Sequence, residues 1–176
     1  AAALFFDFVN GFHDSANSIA TVVGTRVLRP LYAVVIAAIA NFAGPFIFGT
    51  AVAATVGKGI IQPSFSTVDV IFAGLIGAII WDLITWYFGL PSSSSHALIG
   101  GLIGSALLAG GTSALVFSGI EKTLTFIVVS PTLGFASAFG IALIVMYFFR
   151  NHTSSHVNKI FGRLQICSSI FFSLTH

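Results

Sequence analysis

Between Val68 and Leu90 the only charged residues are Asp69 and Asp82, and apolar runs of this kind recur along the whole chain. An α-helix needs about 20 mostly apolar residues to cross a bilayer. Inside lipid its backbone groups must be satisfied internally, which leaves helices and closed barrels as the only spanning structures. Runs that meet or approach this requirement fall at about 2–23, 32–56, 68–90, 91–109, 123–149 and 164–176. They are too long for barrel strands and lack the dyad alternation of a barrel. Charged residues make up 7% of the 176 residues and hydrophobic ones 56%. Soluble domains carry roughly 25% charge, and a soluble chain this short could not hide so much apolar surface. The predicted class is an all-α, polytopic membrane protein.

Composition excludes several other classes. A dispersed net charge of +2 gives no footprint for nucleic acid, and the single cysteine, Cys167, excludes an internal disulfide. No Cys/His spacing resembles a structural zinc site. Residues 1–23 lack the basic start of a signal peptide, and acids and amides interrupt their apolar run. The chain starts without Met inside an apolar run and ends inside another, so it reads as a fragment, one domain over 1–176.

Polar segments separate the spans. Arg26, Arg29 and Pro30 mark the first loop, and Gly57–Thr67, Gly110–Lys122 and Arg150–Arg163 read as others. Asn41, Gly44 and Pro45 break the second span, and Ser130-Pro131 interrupts the fifth. The small residues of GGLIG and GSALLAGG let helix backbones approach closely. If 91–109 crosses fully, Arg26, Arg29, Arg150, Lys159 and Arg163 share a side against Lys58 and Lys122, and that side is cytoplasmic. If the region is re-entrant, the parity flips and the asymmetry weakens; its serine-rich start suggests a re-entrant or broken helix. Asn151-His152-Thr153 fits a glycosylation sequon, a triplet common by chance.

The first span carries an expensive anomaly. Asp7, Asn10, Asp14, Asn17 and Thr21 are spaced 3, 4, 3 and 4 apart, which places them on one helix face. Such a stripe costs several kcal/mol against lipid, so it should face a cavity, an ion or another helix. Hard cations such as Na⁺ take carboxylate, amide, hydroxyl and carbonyl oxygens. Asp14 and Asn17, flanked by Ser15 and Ser18, supply the first three, and Gly11 could free carbonyls. The competing reading is a polar interhelical stripe without a ligand. His13 lies one position off the stripe and reads as a packing residue.

A second constellation is Pro91-Ser92-Ser93-Ser94-Ser95-His96. Serine is a favoured N-cap, and a helix N-terminus offers free N–H groups and partial positive charge, so an oxyanion such as phosphate is the natural guest. Plain capping of a buried helix is the alternative. A third is Asp82 with Thr85, one turn apart, which could join an ion path with Asn10 and Asp7 or merely pair with a neighbour. No Arg or Lys falls inside an apolar span. An anion there would lack a permanent basic partner, and an inside-negative potential opposes its entry by about 2.3 kcal/mol per charge per 100 mV. Co-bound cations meet both difficulties, which points to a cation-coupled anion symporter.

The segment NGFHDSANSIATVVGTRVLRP, residues 10–30, resembles the first signature of the inorganic phosphate transporter (PiT) family. GLPSSSSHALIGGLIG at 89–104 resembles the second, and SPTLGF at 130–135 a further family segment, all in the family's order. The resemblance implies the first inverted repeat of a secondary transporter with broken or re-entrant helices, working by alternating access. It implies Ser93, Ser94, Ser95, Asn17 and Ser92 as phosphate ligands, and Asp14, Asn17 and Thr21 as Na⁺ ligands. The implied cargo is phosphate with Na⁺ or H⁺, with no cofactor and no enzymatic activity, in a multi-pass membrane protein of the prokaryotic plasma membrane. The second copies of both motifs are missing, and FFSLTH ends where the next H-G-x-N-D type motif would begin, His176 standing in the position of Asn10. The resemblance therefore implies half a site, completed by a second repeat. A homodimer could rebuild it only with its two copies in opposite orientations.

Other readings are a sulfate or other oxyanion symporter, a metal–phosphate symporter, and a non-transporting membrane scaffold. An intramembrane serine protease would use one of Ser92–Ser95 as nucleophile and His96, His13 or His176 as base, though adjacent Ser95 and His96 point in different directions on a helix.

Overall fold

Six α-helices account for most of the residues described by the computed structural model: α1 (Ala2–Gly24), α2 (Pro30–Phe48), α3 (Val68–Tyr87), α4 (Ser94–Gly110), α5 (Phe117–Phe149) and α6 (Ser154–Thr175). Residues 1–48, 59–151 and 153–175 are described, and of Ser15, Phe48, Ser154, Ser155 and His156 only the backbone. The end of the second run at 49–56, Lys58, His152 of the sequon and His176 lie outside the described residues. Among these residues α2, α3, α4 and α5 are long and apolar enough to cross a membrane. Many large apolar side chains on them, Phe42, Val68, Leu108 and Met146 among others, are exposed rather than packed inside the protein. A membrane protein places such side chains against lipid.

Local signals set the boundaries. Pro30 opens α2, where its fixed φ and missing N–H cost nothing. The Thr67 side chain caps α3 by accepting from the Val70 N–H at 3.4 Å, and Asp69 complements the positive end of that helix. Gly89 takes a φ of 64° after α3, a conformation that L side chains rarely adopt, and this turn delivers the serine run to the start of α4.

Contacts fix the arrangement. His13 meets Thr85 and Phe12 meets Trp86, while Phe6 and Val9 pack with Ala78 and Ile79, so α1 and α3 run parallel. Trp81 meets Ser92, and Gly74 meets Gly101 and Leu102, so α4 returns antiparallel along α3. On the other flank of α1, the Ser169 hydroxyl donates to the Ser18 carbonyl at 2.6 Å, and Thr25 Oγ1 lies 3.0 Å from Gln165 Oε1. The Leu174 backbone lies against Gly44, and Gly162 lies beside Val27, just before α2, so α6 runs parallel to α2. Helix α1 is thus held between the α3/α4 hairpin and the α2/α6 pair.

The α3/α4 seam is made of small residues. A Cβ on Gly101 would collide with the Gly74 carbonyl, and one on Gly74 would come within 3.1 Å of the Leu102 backbone. This is the close approach that the GGLIG pattern permits. At the base of the hairpin a second core gathers Ile60, Ile61, Val70, Leu102, Ala106, Ala114 and Leu115. A single antiparallel bridge, Ile61 to Leu115, ties the two loops there.

Several expectations change. Pro45 and Pro131 stand inside continuous helices rather than breaking them. A proline forfeits one backbone bond, whereas ending a helix in hydrocarbon would leave several groups unsatisfied. Helix α5 begins at Phe117, so Lys122, read as part of a loop, lies on it. Helix α6 begins at Ser154, within the segment read as a polar loop. At 33 residues α5 is about 50 Å long, more than a bilayer core requires, and it buries none of its side chains within the protein.

Candidate functional site

Asp14 and Ser94, 80 positions apart, meet where α1 passes the N-terminus of α4. The Ser94 hydroxyl donates to Asp14 Oδ2 at 2.7 Å, and both side chains are buried. The other carboxylate oxygen, Asp14 Oδ1, lies 3.1 Å from His13 Nδ1. An ionised carboxylate only accepts, so it favours a proton on Nδ1. The far imidazole nitrogen, Nε2, lies 3.4 Å from Thr85 Oγ1, whose hydroxyl donates to the Asp82 carbonyl at 3.1 Å. The first signature, the serine run and the Asp82–Thr85 pair, separate in sequence, therefore form one buried polar cluster.

The serine run is divided by its helical position. Ser93 is the N-cap of α4, its side chain accepting from the His96 N–H at 3.4 Å. Ser94 turns inward to Asp14, Ser92 accepts from Trp81 Nε1 at 3.3 Å, and Ser95 is exposed. A cleft of about 380 Å³ at this end is lined by Gly77, Trp81, Ser92, Ser93, His96 and Gly101, among others. Unpaired N–H groups of the first turn give that end a partial positive charge.

The stripe on α1 is not uniformly buried. Asp14 is buried, Asn10 is half-buried, and Asp7, Asn17 and Thr21 are exposed. Register explains the last two. With His13 opposite Thr85 and α3 ending at Tyr87, Asn17 and Thr21 extend beyond the end of α3. Because α4 runs antiparallel to α1, its N–H groups point in the same direction. An open region therefore has the α4 N-terminus at its floor and the Asn17–Thr21 segment of α1 rising beside it. Asp82 lies fully buried in α3.

One residue set aside as a packing residue joins the site, and a second lines a neighbouring cleft. His13, one position off the stripe, joins Asp14 to Thr85. Lys122 lines a cleft of about 410 Å³ with His96, Thr123 and Ser130. His13 enters because α1 has partners on two flanks, so its inward surface is wider than one stripe. A protease arrangement needs an imidazole between serine and carboxylate. Here the carboxylate lies between Ser94 and His13.

The model of the Phosphate transporter family matches residues 10–176. The chain is similar to a probable low-affinity inorganic phosphate transporter of Rhizobium meliloti (strain 1021), at 54% identity over all of this chain and 53% of that protein. A probable low-affinity inorganic phosphate transporter of Bacillus subtilis (strain 168) is 45% identical over 99% of this chain and 53% of its own length. The chain spans about half the length of these curated relatives. Among solved structures, one titled "The sodium-dependent phosphate transporter" shares the fold with a TM-score of 0.80. It is 24% identical, over 98% of this chain and 52% of that one.

Proposed function

Since the chain belongs to the phosphate transporter family, we propose that it supplies one half of a site for cation-coupled symport of inorganic phosphate. The observation that carries this reading is the 2.7 Å hydrogen bond from Ser94 to Asp14, which joins an anion-binding helix start to a carboxylate. Alone, the two features conflict. A carboxylate beside a bound phosphate repels it, by about 4 kcal/mol for unit charges 4 Å apart at an effective dielectric of 20. A cation between them reverses the sign. Each ligand then raises the affinity for the other by the same factor, which is the thermodynamic content of coupling.

In this reading phosphate takes the N–H groups of the α4 start and the hydroxyls of Ser92, Ser93 and Ser95. Ser94 spans the boundary, fixed on Asp14. Asp14, with Asn17 and Thr21 beyond it, provides oxygens for the cation. The name of the solved neighbour speaks for Na⁺. The length of the relatives leaves room for a second repeat that would close the open region beyond α3, and movement of the two halves about the site would give alternating access.

Ser94→Ala removes the 2.7 Å donation to Asp14 Oδ2 that links the two motifs. With about 1.5–3 kcal/mol for a hydrogen bond to a charged group, the half-saturating phosphate concentration rises about tenfold or more. Initial rates of labelled phosphate uptake, measured for the full-length protein in liposomes, check this. Wild-type uptake should also resist a tenfold excess of sulfate. Equal competition by sulfate, together with wild-type kinetics for Ser94→Ala, would remove the phosphate reading.

A further inference from the structure

Asp82 is completely buried, and neither of its carboxylate oxygens has a hydrogen-bond partner. The side-chain oxygen of Asn10 is likewise buried and unpartnered. Register sets these two residues at one level. Helices α1 and α3 run parallel with His13 beside Thr85. Asn10 stands three residues before His13, and Asp82 three before Thr85. One turn along both helices therefore sets three orphaned acceptors at the same level, and the Asn10 amide N–H groups meet neither Asp82 oxygen. Helices α1, α3 and α4 contain no Lys or Arg. The imidazole of His13 is already engaged by Asp14 and Thr85.

An isolated ionised carboxylate in such a place costs several kcal/mol even after relaxation. Oxygen acceptors without donors are met by a small hard cation, and carboxylate and amide oxygens are its ligand types. We propose that Asp82 and Asn10 hold a monovalent cation between α1 and α3. This site lies about 5 Å, one helical turn, from the His13–Thr85 level and is distinct from the cation place beside Asp14 and phosphate. Its role in coupling rests on the transport reading above; its existence does not. A cation here offsets the charge of Asp82 and lowers the cost of keeping Asp14 ionised nearby.

The test is the melting temperature of the purified protein in detergent without phosphate, in NaCl against N-methyl-D-glucamine chloride at constant ionic strength. Wild type gains a saturable rise with Na⁺, as any ligand binding only the folded state produces. Asp82→Asn loses that rise and melts higher than wild type in sodium-free buffer, because the unpaired charge is gone. Asn10→Ala keeps the rise but needs about tenfold more Na⁺ to reach half of it, and it serves as the readout if Asp82→Asn does not fold. A wild-type melting temperature indifferent to Na⁺, a rise that survives intact in Asp82→Asn, or one that follows pH and not Na⁺ overturns the proposal. Absence of phosphate uptake alongside an Asp82-dependent rise defeats the transport reading and leaves this site standing. Sodium-driven uptake alongside a rise indifferent to Asp82 and Asn10 defeats this site alone.

Discussion

Asp14→Asn is expected to reduce sodium-driven phosphate uptake about a hundredfold or more while the protein still folds. The side chain keeps its shape, and its amide oxygen can still accept from the Ser94 hydroxyl, now 2.7 Å from Asp14 Oδ2. What it loses is the charge that draws the cation. Breaking a buried ion pair costs about 3–5 kcal/mol, and about 2.7 kcal/mol already corresponds to a hundredfold. Initial uptake rates and melting curves on the same preparation separate the two effects. Asp14→Ala should lose stability as well, because Ser94, fully buried, is left without its acceptor. If Asp14→Asn transports at the wild-type rate, the carboxylate is structural and the coupling assigned to it is wrong.

Gly101→Val should have the largest effect on the fold itself. A Cβ at Gly101 collides with the Gly74 carbonyl, which is backbone and cannot rotate away. Overpacked sites typically cost about 1–3 kcal/mol and occasionally more; here relief requires that α3 and α4 separate. That movement also shifts the α4 start, and Ser94 with it, away from Asp14. The expected outcome is a protein that accumulates poorly or melts well below wild type, measured by size-exclusion recovery from detergent and thermal unfolding. Gly100→Val is the control on the same helix, since a Cβ there meets nothing within 4 Å.

The sequence made legible those features that repeat along the chain or cost free energy locally. Apolar length announced α3 and α4, and the serine run announced the start of α4, while the individual caps, Thr67 and Ser93, are fixed by the structure. The start of α6 was obscured because a membrane-span reading looks for unbroken apolar runs. Its half-buried Val157, Ile160 and Phe161 instead follow helical spacing in a polar stretch. The onset of α5 at Phe117 was hidden by Gly119, Glu121 and Lys122, which read as a loop. In the site, periodicity placed Asp14 on one face with Asn10, Asn17 and Thr21. Periodicity gives angle about the helix, however, and not the height at which a partner helix ends. The exposure of Asn17 and Thr21 follows from α3 ending at Tyr87, a tertiary fact. The orphaned oxygens of Asp82 and Asn10 are invisible until the α1–α3 register is known.

The most direct measurement is labelled phosphate uptake by the full-length protein in sealed liposomes, with an inward Na⁺ gradient and with Na⁺ replaced by N-methyl-D-glucamine. Uptake that accumulates phosphate with the gradient, collapses without it, and is lost in Asp14→Asn and weakened in Ser94→Ala is the predicted result. Uptake equally fast in the absence of Na⁺, or untouched by both substitutions, contradicts a coupled site built where α1 meets the start of α4.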